Sequence, residues 1–203
     1  MAGFSFNRVE VDLAALRTNY LTLCRLAGRK VRVMAIVKAD AYGHGLVPAA
    51  RALASVGART FGVAEVEEGI ALREAGISGQ IVVLLGASPR WFPELLEFDL
   101  SPVVFETAAV RELSRQACRA GKQVGVHLKV DVGMGRFGIL PAAAPAFLEE
   151  VAGLPGLVLA GLLGHLPMAD HLQAAATREQ CSRFARLLSE VKTGRHPDLL
   201  AHL

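Results

Sequence analysis

The sequence predicts an α/β protein, a TIM-type (β/α)8 barrel incomplete at its C-terminal end. Short apolar runs alternate with segments of helical spacing, and no hairpin signal separates them. The strands are therefore parallel and the helices are crossovers. Residues able to do chemistry stand at the C-terminal ends of several runs: Lys38, Leu85 with Gly86, Asp131 with Arg136, and His165. Convergence from many strand ends suits a barrel mouth better than the single crevice of an open doubly wound sheet, the competing architecture. The fingerprint GxGxxG is also missing after the first strand. The count falls short of a closed barrel, with roughly six strand–helix units legible against eight in about 250 residues for the complete fold.

The elements follow in order. "VRVMAIVK", Val31 to Lys38, is rich in Val and too short for a helix, and reads as a strand buried on both faces. "LVPAARALASVGA" has helical spacing and a glycine stop at Gly57. "TFGVAEV", Thr60 to Val66, is the next strand, and "EEGIALREAGI" the next helix, closed by Gly76. "QIVVLLG", Gln80 to Gly86, is a buried strand, and a short helix lies around Glu94 to Phe98. "SPVVF" starts at Ser101, after which Thr107 is placed to cap "AAVRELSRQACRAG". "VGVHLKVD", Val124 to Asp131, precedes the helix "AAAPAFLEEVAGL", and "LVLAGLLGH", Leu157 to His165, is the last full strand. Thr177 precedes a helix with Phe184, Leu187, Leu188 and Val191 on one stripe, and "PDLLAHL" reads as the approach to a further strand.

Composition narrows the function classes. The chain has 203 residues, 52% hydrophobic and 20% charged, which is the composition of a packed domain. Lys and Arg total 22 against 19 Asp and Glu, a net of +3 with no block of like charge, and aromatics are 6%; no nucleic-acid partner is expected. Apolar runs stop well short of the ~20 residues of a spanning helix, and no secretory signal opens the chain, so no membrane association is expected. Cys24, Cys118 and Cys181 lack metal spacing and read as free thiols on helices of a cytoplasmic protein. No metal site is expected.

Lys38 is the sharpest chemical signal. At a buried strand's end its amine would be partly desolvated, which favours its use as nucleophile or base. The competing reading is a lysine that snorkels into solvent. The following "ADAYGHG" tips the balance, because Tyr42 offers a phenol for a phosphate and Gly43 and Gly45 permit unusual backbone angles. His44 reads as a surface residue. In "HLKVDVGMGRFGI", alternation puts Lys129 and Asp131 on one face, and the glycine-lined "GMGR" delivers Arg136, whose planar fork suits a carboxylate or a phenolate. A bare Arg–Asp surface pair is the alternative there. His165 places an imidazole where it can stack on a flat cofactor, or serve only as a core histidine.

"VMAIVKADAYGHG", "GVAEVEEGIALREAG", "VVLLGA" and "HLKVDVGMGRFG" together closely resemble the N-terminal barrel of the alanine racemase family, nearly the whole chain matching in order. The resemblance implies a fold-type III enzyme that interconverts L- and D-alanine with pyridoxal 5'-phosphate for bacterial peptidoglycan, as a homodimer in the cytoplasm. Lys38 would hold the cofactor covalently and act as the base on the D-alanine side. Tyr42 would reach the cofactor phosphate, Leu85 would line the pocket, and His165 would pack on the pyridine ring. Arg136 would bond the phenolic oxygen and position the substrate carboxylate, with Lys129 (carbamylated in some members) supporting it.

The family's "THFA" stands here as "GHLP", and "AHL" stops before the family's "ANSA" phosphate segment. The expectation is therefore a truncated chain: residues 1–12, with "VEVDL" as a strand that would join an absent β domain, then a partial barrel over 13–203. That absent domain would carry the tyrosine base for the L-alanine side, so the chain alone is expected to be inactive or nearly so. Three alternatives stand beside this: a single-domain protein that buffers the cofactor, a racemase for another amino acid, and a scaffold on a decayed barrel.

Overall fold

The computed structural model describes residues 8–171, 175–193 and 199–203. The chain divides into two compact units, Met1–Ile81 and Val82–Leu203.

In the first unit, Asp12 caps helix α1 (Leu13–Ala27) by accepting from the amides of Ala14 and Ala15 at 2.8 and 3.0 Å. The helix buries Tyr20, whose hydroxyl donates to the Val33 carbonyl at 3.3 Å. β1 (Ala35–Ile36) pairs in parallel with β2 (Thr60–Val63), Ala35 opposite Phe61, and the Val37 amide adds one more rung to Gly62 O at 2.8 Å. Between them lie α2 (Lys38–Gly43), a single tight turn, and α3 (Leu46–Ser55), which buries Ala49, Ala50, Ala52 and Leu53. α4 (Val66–Glu74) returns the chain to β3 (Gln80–Val83). Each crossover is a helix, as parallel strands require.

In the second unit, the end of β3 pairs with β4 (Ser101–Val104), followed in parallel order by β5 (Val124–Lys129), β6 (Leu157–Leu163) and β7 (Leu200–His202). α5 (Phe92–Glu97), α6 (Thr107–Arg119), α7 (Ala144–Gly153) and α8 (Ala175–Thr193) alternate with them. Strands buried on both faces explain the unbroken apolar runs: Val82, Val83, Val103, Val126 and Leu128 are almost fully enclosed. The β5–β6 register slips between Val126 and His127, so that Val126 faces Leu159 but His127 faces Gly161. This irregularity aims His127 at the one β6 position without a side chain.

Several expectations are corrected. The strands stop one to three residues early, since the chain leaves each ladder to build the loop at its C-terminal end. β1 is two residues rather than a run from Val31, and Ile36 is 39% exposed, because β1 ends the strand order and lacks a neighbour on one side among the described residues. "VEVDL" forms no strand: residues 9–12 are irregular and Asp12 is taken by the helix cap, while residues 1–7 of the leading segment lie outside the described residues. Thr107 does not cap α6. Glu106 occupies that position, and the Thr107 hydroxyl instead donates to Glu150 at 3.3 Å. Thr177 lies inside α8, where its hydroxyl donates to the Met168 carbonyl at 3.1 Å. Of "PDLLAHL", Pro197 and Asp198 lie outside the described residues, and Leu200–His202 form β7.

Candidate active site

Lys38 follows directly on the last rung of the β1–β2 ladder and is half-buried. The four residues after it, Ala39 to Tyr42, all adopt left-handed backbone angles, with φ between 52° and 56°. None is glycine. Each such L-residue costs roughly 1–2 kcal/mol, so the turn is strained by several kcal/mol and must be held by its surroundings. The Ala41 amide bonds Val37 O at 2.8 Å and the Gly45 amide bonds Asp40 O at 2.9 Å. The Asp40 carboxylate accepts from the Leu46 amide at 2.6 Å, and the Glu68 carboxylate from the Ala39 amide at 2.6 Å. Tyr42 is thereby presented 62% exposed. His44 is a surface residue whose ring bonds the Ala41 carbonyl at 2.8 Å.

In the second unit, Leu85, Lys129, Arg136 and His165 all lie at or beyond the C-terminal ends of parallel strands. Leu85 is 43% exposed and lines a cavity of about 380 Å³ with Gly86, Phe105 and Glu106. Arg136 rides on a closed excursion of the chain. The Asp131 amide bonds Ile139 O at 2.8 Å and the Ile139 amide bonds Lys129 O at 3.0 Å, pinning the loop at its base. Inside it the Asp131 carboxylate accepts from the amides of Gly133, Met134 and Gly135 at 2.7–3.1 Å. Burial pushes Asp131 up, but those amides and then Lys129 outweigh it, and its carboxyl sits below the ordinary range. Asp131 thus organises the loop rather than only pairing with Lys129. Arg136 is left exposed. Lys129 is 6% exposed, and burial, then Arg136, lower its pKa against the opposing pull of Asp131. His165 is exposed, one residue past the Gly164 amide that bonds His202 O at 2.9 Å.

Sequence reasoning missed two groups. The first is the left-handed turn with its Glu68 anchor. The second is an imidazole pair: His127, fully enclosed on β5, meets the half-buried His202 on β7 at 3.0 Å, Nδ1 to Nε2, with rings edge to face. Burial and then the neighbouring His202 push His127 down to about 3; burial and then Lys129 push His202 down to about 4. Alternation already put His127 on the Lys129 face, which was the available signal. Among the described residues, no cluster of three or more His, Cys, Asp or Glu side chains is arranged to hold a metal ion. No helix among them is long and apolar enough to cross a membrane. Cys24, Cys118 and Cys181 are free thiols on α1, α6 and α8.

Residues 11–203 match the family described as "Alanine racemase, N-terminal domain". The chain is 42% identical over 182 residues to an alanine racemase of Symbiobacterium thermophilum, which covers 90% of this chain and 48% of that protein. It is 40% identical over 187 residues to the alanine racemase of Geobacter sulfurreducens, covering 92% and 49%. Its fold matches the crystal structure of alanine racemase from Bacillus anthracis with bound L-Ala-P, with a TM-score of 0.86, 32% identity and coverage of 95% and 50%. The chain spans about half the length of the curated relatives it matches. Seven parallel strands with crossover helices are present among the described residues, one short of the eight of a complete (β/α)8 barrel, and the fold class is that of an incomplete barrel. The chain belongs to the alanine racemase family, over that family's N-terminal domain.

Proposed function

We propose that this chain is the cofactor-binding portion of a cytoplasmic, homodimeric alanine racemase, with Lys38 as its cofactor lysine and one of its two bases. The observation that carries this is Lys38 itself: a half-buried amine fixed at the end of the β1–β2 ladder by a strained turn. The residues fit pyridoxal 5'-phosphate by their chemistry, with Lys38 an amine for its aldehyde, the exposed Tyr42 a phenol for its phosphate, and Arg136 a cation for its phenolate. When bound, that cofactor supplies the aldehyde and the electron-withdrawing ring that acidifies the substrate α-proton.

The chain's own groups do the rest. Lys38 Nζ takes and returns the α-proton on one face of the substrate. Arg136 holds the alanine carboxylate in its fork, and the neighbouring Lys129 sets the local charge. Leu85 and His165 contribute walls that exclude water. A racemase needs a second base on the opposite face. Tyr20 does not serve, since its phenol is tied to Val33 O and burial, then Cys24, raise it to about 12. We assign the second base and the dimer contacts to the remaining half of a full-length enzyme. The free thiols accord with a reducing, cytoplasmic setting.

The test is to incubate the chain with pyridoxal 5'-phosphate, reduce with borohydride and map the product by mass spectrometry. A pyridoxyl group on Lys38, lost in Lys38→Ala, is expected, with no measurable racemisation of L-alanine by the chain alone. An unmodified Lys38 would overturn the reading.

A further inference from the structure

We infer that Glu68 is a positioning residue for Lys38, holding the left-handed turn that aims the lysine. The inference rests on Lys38 being the cofactor lysine.

Glu68 sits at the third position of α4 and closes a capping box with Glu65 at the helix head. A capping box needs only one of its carboxylate oxygens. Here Oε2 takes the Ala64 amide at 2.7 Å and the Glu65 amide at 3.4 Å, at the C-terminal end of β2. The other oxygen, Oε1, reaches across 29 residues of sequence to the Ala39 amide at 2.6 Å. That amide belongs to the first residue of the strained turn and is bonded directly to Lys38 through their shared peptide. One rigid carboxylate therefore ties the end of β2 to the backbone beside the reactive amine. The bonds from Ala64 and Ala39 are charge-assisted and short, the class that contributes most.

The turn makes this tie consequential. Ala39 through Tyr42 have no intrinsic reason to stay left-handed, and relaxation of Ala39 to ordinary angles would rotate the Lys38 carbonyl and re-aim its side chain. On the Ala39 side the restraint is Glu68; on the far side it is Asp40, through the Leu46 amide. Glu68→Gln keeps the shape but has one acceptor oxygen; the capping-box side offers it two amides, Ala64 and Glu65, so the NH2 falls against the Ala39 amide and that tie is lost.

The experiment compares the full chain with Glu68→Gln and with Glu65→Ala. The second variant damages the same capping box without touching Ala39. Amide exchange at Ala39 and Ala64 is followed by NMR, alongside the extent of Lys38 modification by pyridoxal 5'-phosphate and borohydride and the urea midpoint of each chain. Loss of a charge-assisted bond predicts that Glu68→Gln speeds Ala39 exchange and lowers Lys38 modification by roughly tenfold, while Glu65→Ala leaves both near wild type at a similar loss of stability. Wild-type exchange and wild-type modification in Glu68→Gln would overturn the inference. So would equal effects from Glu65→Ala, since those would reduce Glu68 to a helix cap. If the wild-type chain takes no label at Lys38, the cofactor reading fails on its own, and Ala39 exchange alone decides whether Glu68 holds the turn.

Discussion

Gly161 is where a single missing atom decides a local arrangement. A Cβ there would run into Nδ1 of His127 and come within 3.2 Å of Leu200 O, a backbone atom that cannot yield. The glycine is what lets the His127 ring cross β6 and reach His202. Gly161→Ala is therefore expected to displace His127, break the imidazole pair and destabilise the second unit by about 1–3 kcal/mol, the range for overpacking a full core. Removing the obstructing ring should restore part of that. The double variant Gly161→Ala with His127→Ala is expected to be more stable than the sum of the two single losses by about 0.5–3 kcal/mol, as for residues in direct contact. Urea unfolding of the four chains measures this coupling, and strict additivity would show that the rings do not depend on the glycine.

At the scale of elements, the loop from Asp131 to Ile139 shows how a flexible sequence is made to hold a cation in place. Gly133, Gly135 and Gly138 have φ of 131°, 70° and 118°, and a Cβ on Gly138 would meet the Asp131 amide at 2.8 Å, so only glycine fits there. Such a run is entropically costly to order, and the Asp131 carboxylate offsets that with three amide bonds. Asp131→Ala is expected to cost about 1.5–3 kcal/mol and to speed exchange of the Gly133 to Gly135 amides, with Asp131→Asn intermediate; hydrogen exchange resolved by residue checks it. Element identity was legible wherever an apolar run or a helical stripe was long, as in β3, β5, β6 and α8. The GMGR loop was legible from its glycines. The turn after Lys38 was not, because Ala-Asp-Ala-Tyr carries no local preference for left-handed angles, and the shape is held by Glu68 from another helix and by the Asp40 side chain reaching forward to the Leu46 amide. Thr107 misled for the opposite reason: a good local cap was drawn instead to Glu150 on α7. The His127–His202 pair depends on strand order and a register slip, which no local pattern encodes.

For the molecule as a whole, the His127–His202 pair sets how the second unit responds to acid. Folding holds His127 at about 3 and His202 at about 4, against an ordinary 6.5, so both rings are neutral in the folded state well below neutrality. Between about pH 6.5 and pH 4 the unfolded chain binds protons that the folded chain refuses. Stability therefore rises with pH through this window and is fully present above 6.5. Each ring contributes a slope of about 1.4 kcal/mol per pH unit there, which for a marginally stable domain is enough to bring unfolding within reach of mild acid. Two nearby shifted groups of the second unit, Lys129 and Asp131, act in other pH ranges. Lys129, depressed by burial, lowers stability equally at every pH below its folded value, and Asp131, held low mainly by its amides, is lost only below the ordinary carboxylate range. The expected result is a urea midpoint that holds from pH 7.5 to about pH 6.5 and then falls steeply to pH 5. In His127→Asn, which cannot take up the proton, the slope over the same interval should be about half as steep even if the midpoint at pH 7.5 is lower. A wild-type midpoint that stays flat across this range would mean that the rings accept protons without unfolding, and that the pair is more open to water than its burial implies.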